Sequence, residues 1–134
     1  MKLSGASVAE DTALLVTHSR DLAVGLAALL LSIPPIRHVE RATGPDTLVE
    51  RLRGTRPVLV VLDTAAIDAK LPDVLNTIHE VSPRTRFLVL SDTVNEERQV
   101  RQEAPPGAGT VVVKGADPER LADTIQHLLT DPAA

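Results

Sequence analysis

Short apolar runs divide this chain, and each of them ends at a polar residue. Four of these runs cover residues 13–16, 58–62, 87–90 and 111–113. Runs of this length, without glycine or proline, are typical of strands that are buried on both faces of a parallel sheet. A fifth segment, residues 36–42, mixes apolar and charged side chains and suits a strand at the edge of that sheet.

Segments with helical periodicity separate the runs. Their apolar side chains recur every three or four positions, as on one face of an α-helix. The helices are expected over 19–32, from 45 to a C-cap at Gly54, around 71–78, over 95–103 and from 118 to 129. Strands that alternate with helices of this length imply right-handed crossovers. We therefore predict an α/β fold with a doubly wound, five-stranded parallel sheet.

The length of 134 residues is that of one domain with a proper core. We expect an N-terminal tail over residues 1–11, the folded domain over 12–130 and a C-terminal tail over 131–134. No composition shift marks a linker or a second domain inside the chain.

The composition narrows the range of partners. A net charge of −4, with arginines scattered among acidic residues, argues against nucleic-acid binding. Aromatic residues make up 1% of the chain, so stacking platforms for bases are missing. The longest apolar stretch, residues 22–31, is far shorter than the ~20 residues of a membrane span. The absence of cysteine excludes disulfides and thiolate metal sites, and we expect a cytoplasmic protein.

Polar residues at the ends of the apolar runs are expected to lie along one edge of the sheet. Asp63, Ser91 and Lys114 follow the third, fourth and fifth predicted strands. Thr17 and His18 follow the first. Open α/β folds place their sites at the carboxyl edge of the strands. A carboxylate, a hydroxyl and an ammonium group are therefore predicted to converge there.

The residues at this edge give little support for an enzyme with a diffusible substrate. A dinucleotide site needs a glycine-rich turn after the first strand, and this turn reads Thr-His-Ser-Arg. His18, Ser91 and Asp63 could form a hydrolytic triad, but Ser91 lacks the Gly-x-Ser-x-Gly elbow that exposes a nucleophile. A lone aspartate at a strand end is also often only a cap or a turn former. We expect the chain not to be an enzyme.

Taken together, Asp63, Ser91 and Lys114 resemble the receiver domains of two-component response regulators, over residues 14–129. The segment Lys-Gly-Ala-Asp-Pro-Glu at 114–119 is similar to receivers from regulators with a helix-turn-helix output domain. The resemblance implies a flavodoxin-like sheet of order 2-1-3-4-5. It also implies that the Asp63 position accepts a phosphoryl group from a histidine kinase. The Ser91 position would then hydrogen-bond that group, and Lys114 would pair with its charge.

The end of the first strand departs from the receiver pattern. Receivers carry an acidic pair there that binds Mg²⁺ together with the acceptor, whereas this chain has Thr17 and His18. Mg²⁺ prefers hard oxygen ligands and usually takes one or two carboxylates. Asp63 and the backbone carbonyl near Ala65 would therefore form only a weak Mg²⁺ site, and no other cofactor is indicated.

Two interpretations of His18 follow from this departure. In one, its imidazole points at Asp63 and replaces the metal as counter-charge. In the other, it is a solvent-exposed loop histidine. A transition metal held by His18 and Asp63 is a further option, with only two ligands to support it.

Two functions remain open. In the first, favoured by the missing acidic pair, the chain is a pseudo-receiver that has impaired Mg²⁺-dependent phosphorylation and acts by contact with a protein partner. In the second, it is a conventional receiver that a sensor histidine kinase phosphorylates on Asp63, as a fragment of a DNA-binding transcriptional regulator. The outer side of the first helix is apolar at Val24, Ala27, Ala28 and Leu31. Such a side favours a homodimer or a partner contact, although simple exposure of small side chains is common.

Overall fold

The computed structural model describes residues 9–67, 70–103 and 109–130, and strands and helices alternate along them. The strands are β1 Ala9–Val16, β2 His38–Ala42, β3 Pro57–Asp63, β4 Arg86–Ser91 and β5 Gly109–Val113. The helices are α1 Arg20–Leu31, α2 Pro45–Thr55, α3 Leu71–Val81, α4 Val94–Glu103 and α5 Pro118–Thr130. A single 3₁₀ turn, Thr64–Ala66, follows β3 in the described part of the chain.

The strands form one parallel sheet in the order β2-β1-β3-β4-β5, which confirms the predicted fold. The strand order changes direction at β1, because α1 leads outward to β2 and α2 returns past β1 to β3. In such sheets the loops diverge at this switch point and leave a crevice at the carboxyl ends of the strands. The register pairs Val16 with Leu62 and Asp63 with Leu90. Thr17 and Asp63, the residues that follow Val16 and Leu62, therefore lie side by side.

Side chains of the central strands alternate between two apolar layers. Val60 and Leu62 pack on the side of α2, α3 and α4, whereas Leu59 and Val61 pack on the side of α1 and α5. All four of these side chains are fully buried. The prediction of strands that are buried on both faces is therefore confirmed, and it accounts for the unbroken apolar run before Asp63.

Most element boundaries lie within a few residues of the predicted ones, and two of the differences concern a predicted cap and a predicted tail. The predicted C-cap at Gly54 is wrong, because α2 continues to Thr55 and Arg56 takes the left-handed conformation, with φ 48°. Pro57 disfavours the α conformation in the residue before it, which explains why the helix ends at this point. The first strand begins at Ala9, inside the segment expected as a tail. Residues 131–134, the expected C-terminal tail, lie outside the described residues.

No described helix combines the length and the apolar character that crossing a membrane requires.

Gly109 should be required for the pairing of the last two strands. A Cβ atom at this position would collide with the backbone oxygen and the ring of Phe87 on β4. We expect Gly109→Ala to lower the free energy of unfolding by about 1–3 kcal/mol, as other overpacking substitutions do. Urea unfolding measures the change. Gly54→Ala is the control, because a Cβ at Gly54 meets nothing within 4 Å. Equal urea midpoints for the two variants would contradict the prediction.

Candidate functional site

Asp63 ends β3 at the carboxyl edge of the sheet, and its side chain is only 4% exposed. Its Oδ2 accepts a hydrogen bond from the Thr17 hydroxyl at 2.7 Å. Its Oδ1 accepts one from the Ala65 backbone N–H at 3.1 Å, which also caps the 3₁₀ turn. The ammonium group of Lys114 contacts Oδ1 as well. Both oxygens of this buried carboxylate are thus occupied, as burial of a charge requires.

Lys114 follows β5 directly and links two carboxylates. Its backbone N–H donates to the Ser91 carbonyl at 2.8 Å, which anchors the lysine to the end of β4. Its Nζ contacts Asp63 and lies 2.7 Å from Oδ1 of Asp92. The Asp92 side chain is 52% exposed, whereas that of Asp63 is almost fully buried. Charges attract more strongly away from water, so the contact with Asp63 dominates.

The pKa values of both partners reflect this pair. Burial by itself raises the pKa of Asp63, but hydrogen bonds from Lys114, Thr17 and Ala65 outweigh it and hold that pKa below its ordinary value. Burial likewise lowers the pKa of Lys114, and its bonds to Asp63 and Asp92 reverse the effect and raise it. Asp63 is therefore ionised and Lys114 protonated at neutral pH.

Thr17 is fully buried and holds a fixed hydroxyl against Asp63. The same hydroxyl oxygen accepts the Ser19 backbone N–H at 3.1 Å, so its proton remains available for Asp63. The Thr17 carbonyl accepts two hydrogen bonds from the Arg41 guanidinium on β2, at 3.2 and 2.9 Å. Two neighbouring elements therefore fix the backbone and the side chain of Thr17. The sequence marked Thr17 as a residue that lacks charge and did not indicate that it would be a donor.

His18 does not take the role hypothesised for it as a counter-charge. The residue is exposed, and the side-chain donors of Asp63 are Thr17 and Lys114. The register gives the physical reason: Thr17, the first residue past β1, stands beside Asp63, and the next residue is already at the surface. The exposed loop histidine is the interpretation that the structure supports.

Ser91 ends β4 and is buried at the same edge, and its hydroxyl bonds to the backbone. It donates to the backbone carbonyl of Thr93 at 3.3 Å, with the Val112 carbonyl at 3.5 Å. Among the described residues, no hydrogen bond joins Ser91 to Asp63. The structure thus unites Asp63 with Lys114 and Thr17 and leaves the Ser91 hydroxyl bonded to the backbone.

Glu96, in the first turn of α4, ties the surrounding loops together. One of its oxygens accepts the Thr64 hydroxyl at 2.7 Å and the Asp92 backbone N–H at 2.8 Å. The Glu96 backbone N–H in turn donates to the Thr93 hydroxyl at 3.1 Å. The loop after β3 is thereby joined to the loop after β4. In the sequence, Glu96 is one of several acidic residues in the segment 95–103, and only its place in the first turn of the helix favours an N-terminal role.

The donor set at this edge does not fit Mg²⁺. Both Asp63 oxygens already accept hydrogen bonds, and the ammonium group of Lys114 stands against the carboxylate where a cation would bind. Thr17 donates its proton to Asp63, and Ala65 contributes its N–H. Across the described ranges, no three His, Asp or Glu side chains group as metal ligands. The arrangement satisfies the Asp63 charge with donors from the chain itself.

Comparison with known proteins shows which fold surrounds this site. No protein-family model and no curated protein matches the sequence. A response regulator receiver protein from Sinorhizobium medicae WSM419 is similar in structure, with a TM-score of 0.76 at 17% identity over 91% of this chain and 96% of that one. The signal receiver domain of a DNA binding response regulator from Colwellia psychrerythraea 34H has a TM-score of 0.73 at 18% identity, over 90% and 98% of the two chains.

A signal receiver domain from Vibrio parahaemolyticus is similar as well, with a TM-score of 0.72 at 20% identity and 90% of both chains covered. At these identities the likeness concerns the fold. The chain has the flavodoxin-like fold of response-regulator receiver domains, as the resemblance in the sequence implied.

Removal of the lysine should leave an uncompensated buried charge. Loss of one partner from a buried pair typically costs about 3–5 kcal/mol. Because Lys114 is 24% exposed, we expect Lys114→Met to lower the free energy of unfolding by about 2 kcal/mol in urea. Lys70→Met is the matched control, because Lys70 is exposed and makes no ion pair within the described residues. A loss of equal size in both variants would refute a specific role for Lys114.

The difference in stability between wild type and Lys114→Met should depend on pH. The folded pKa of Asp63 is lowered, so the pair stabilises above the unfolded value of about 3.9 and weakens as pH falls through the folded one. The folded pKa of Lys114 is raised, so its contribution is complete below about 10.4 and is lost as pH rises beyond. Urea unfolding should give a plateau between about pH 5 and pH 9. A difference that grows in acid would contradict the assignment.

Glu96 should stabilise the loop after β4 locally. Glu96→Ala removes the acceptor of the Asp92 amide, and we expect faster hydrogen exchange at that amide together with a loss of about 1 kcal/mol in global stability. Glu97→Ala is the control, because Glu97 makes only a loose contact with Arg101, at 3.8 Å. Exchange at the Asp92 amide that is unchanged in Glu96→Ala would show that the bond is not formed in solution.

Proposed function

We propose that this chain is a receiver-like domain of two-component signalling that acts by contact with a protein partner, with its Mg²⁺-dependent phosphorylation impaired. The observation that carries the proposal is the Asp63 carboxylate, both oxygens of which accept bonds from the chain, Oδ2 from Thr17 and Oδ1 from Ala65 and Lys114. The similarity to the fold of receiver domains supports a role in two-component signalling. The contacts of Asp63 support impaired phosphorylation.

Transfer of a phosphoryl group would use an Asp63 oxygen that already accepts a hydrogen bond. In that reaction a carboxylate oxygen attacks phosphorus, the P–N bond of the phosphohistidine breaks, and the imidazole leaves with its electron pair. Each hydrogen bond stabilises the ground state of the oxygen that accepts it, and a bond to a charged group contributes about 1.5–3 kcal/mol. The lowered pKa also makes Asp63 a weaker nucleophile. The hydrogen bonds and the lowered pKa both raise the activation barrier for phosphoryl transfer to Asp63.

The groups available to stabilise the negative charge of the transition state also support impaired phosphorylation. Equatorial oxygens of a transferring phosphoryl group need cations, and metal ions usually supply them. Here Lys114 is shared between Asp63 and Asp92, and the Ser91 hydroxyl is bonded to the backbone. The groups that would stabilise the phosphoryl oxygens are therefore already engaged. We infer a cytoplasmic domain without a diffusible substrate, whose partner is a protein of the signalling pathway such as a sensor kinase.

One observation favours the conventional receiver as the second candidate. Asp63 is ionised, lies at the end of the third strand and is paired with Lys114, as the acceptor of a conventional receiver would be. Displacement of Thr17 from Oδ2 would then be the first step of activation. In this case, the contacts of Asp63 with Thr17, Ala65 and Lys114 belong to the unphosphorylated state of the receiver.

Restoring the acidic pair tests the proposal directly. The wild type, the single variant Asp63→Asn, the double variant Thr17→Asp/His18→Asp and that double variant with Asp63→Asn are incubated with acetyl phosphate and Mg²⁺ and weighed intact. We expect no stoichiometric phosphoryl adduct on the wild type and an adduct on the double variant, because two carboxylates complete a hard oxygen site. Asp63→Asn should abolish that adduct.

Stoichiometric modification of the wild type that Asp63→Asn abolishes would replace the proposal with the conventional receiver. Circular dichroism confirms that each variant is folded. Tryptophan quenching is not an option, since the chain has no Trp, so Mg²⁺ binding is followed by titration calorimetry.

A further inference from the structure

Asp92 is the second carboxylate that contacts Lys114, and unlike Asp63 it is open to water. It follows Ser91 at the end of β4, and its Oδ1 lies 2.7 Å from Nζ of Lys114. The Asp92 side chain is 52% exposed, whereas the Asp63 side chain, which contacts the same ammonium group, is 4% exposed. An ion pair with one partner this open to water contributes little to folding. Stability alone therefore does not account for the position of Asp92 on Lys114.

The loop after β4 holds Asp92 in this place through its backbone. The Asp92 N–H donates to Oε1 of Glu96 at 2.8 Å, and the same oxygen accepts the Thr64 hydroxyl at 2.7 Å. The carbonyl of the preceding residue, Ser91, accepts the backbone N–H of Lys114 at 2.8 Å. The backbones of Asp92 and Lys114 are thus joined to one another and to the loop after β3, so the fold itself brings their side chains together.

Asp92 changes the charge that surrounds Lys114. An ammonium group has three N–H donors and one positive charge. Two carboxylates already contact the ammonium group of Lys114, so the three ionised groups together carry one negative charge. An anion that approaches Asp63 therefore meets a lysine with one donor left, inside a group of charges that is negative overall.

We propose that Asp92 is a positioning residue that keeps Lys114 from stabilising a phosphate or a phosphoryl group at Asp63. The Asp92 carboxylate takes one donor of the ammonium group and adds a like charge at a place where a phosphoryl group needs a free cation. This role of Asp92 rests on the proposed function, because it gives the impaired phosphorylation a second cause besides the missing acidic pair. Asp92 acts as an internal competitor for Lys114.

Binding of inorganic phosphate tests this competition without any covalent step. The chain has three lysines, so isotope labelling of lysine side chains resolves the NMR signal of Lys114. Phosphate is titrated at neutral pH and constant ionic strength against the wild type and Asp92→Asn, which removes the charge and keeps the shape of the side chain. We expect the phosphate concentration at half-saturation to be at least roughly tenfold lower for Asp92→Asn, because a like charge is removed from beside the ammonium group.

Asp92→Glu and Asp117→Asn are the controls. Asp92→Glu keeps the carboxylate and should bind phosphate as weakly as the wild type does. Asp117 lies three residues beyond Lys114 and accepts the Glu119 backbone N–H, so Asp117→Asn removes one negative charge and keeps a good cap. It should also titrate like the wild type. Equal half-saturation for Asp92→Asn and the wild type, or a gain of equal size in Asp117→Asn, overturns the proposal.

The rate of phosphoryl transfer gives a second readout. In the reaction with acetyl phosphate, an Asp63 oxygen attacks phosphorus, the P–O bond to the acetyl group breaks, and acetate leaves with the electron pair. In the Thr17→Asp/His18→Asp background, we expect Asp92→Asn to raise the initial rate of adduct formation on Asp63 roughly tenfold and Asp92→Glu to leave it unchanged. Equal rates for Asp92→Asn and Asp92→Glu contradict the role of Asp92.

The proposed function and the role of Asp92 fail in different ways. A wild type that acetyl phosphate modifies stoichiometrically on Asp63 refutes the impaired phosphorylation. Asp92→Asn and Asp92→Glu are then compared in the wild-type background, where a faster Asp92→Asn still supports the role of Asp92. If no variant is modified, the phosphate titration alone decides. Circular dichroism verifies the fold of each variant.

Discussion

The contact between Lys114 and Asp63 is the interaction on which the arrangement of this edge of the sheet depends. The third strand is apolar up to Asp63, its last residue, and the carboxylate of Asp63 is almost fully buried. A buried charge is stable only when it is paired and hydrogen-bonded. The loops after the first, third and fifth strands therefore each contribute a donor, from Thr17, Ala65 and Lys114. The loop after the fourth strand joins through Asp92, which shares the lysine.

The identity of the residue beside Asp63 determines the charge balance of the site. A neutral hydroxyl at Thr17 donates to the carboxylate and adds no charge, so Lys114 contacts two carboxylates, Asp63 and Asp92, and no third one is added beside Asp63. A carboxylate at the same place would repel Asp63 and would need a divalent cation to join the two. In this chain the side chain at the end of the first strand is a hydroxyl, so Asp63 is held by donors from Thr17, Ala65 and Lys114.

Much of the fold could be predicted from the sequence because its signals are local. The run 58–62 is apolar without interruption since both faces of its strand are covered, and alternating layers in the structure show this directly. The positions of Asp63 and Lys114 followed from strand ends alone. The end of α2 could not be predicted in the same way, because Gly54 is the more common cap and the left-handed Arg56 reflects the proline behind it.

The sequence by itself determined the order of the elements, the two-sided burial of the central strands and the types of group at the carboxyl edge. It could not say which groups meet. Tertiary structure decided that Thr17 and not His18 contacts Asp63, that the Ser91 hydroxyl turns to the backbone, and that Glu96 joins two loops. The reason is physical: periodicity along a chain fixes which face a residue takes, whereas a hydrogen bond depends on the register between strands and the path of loops far apart in sequence.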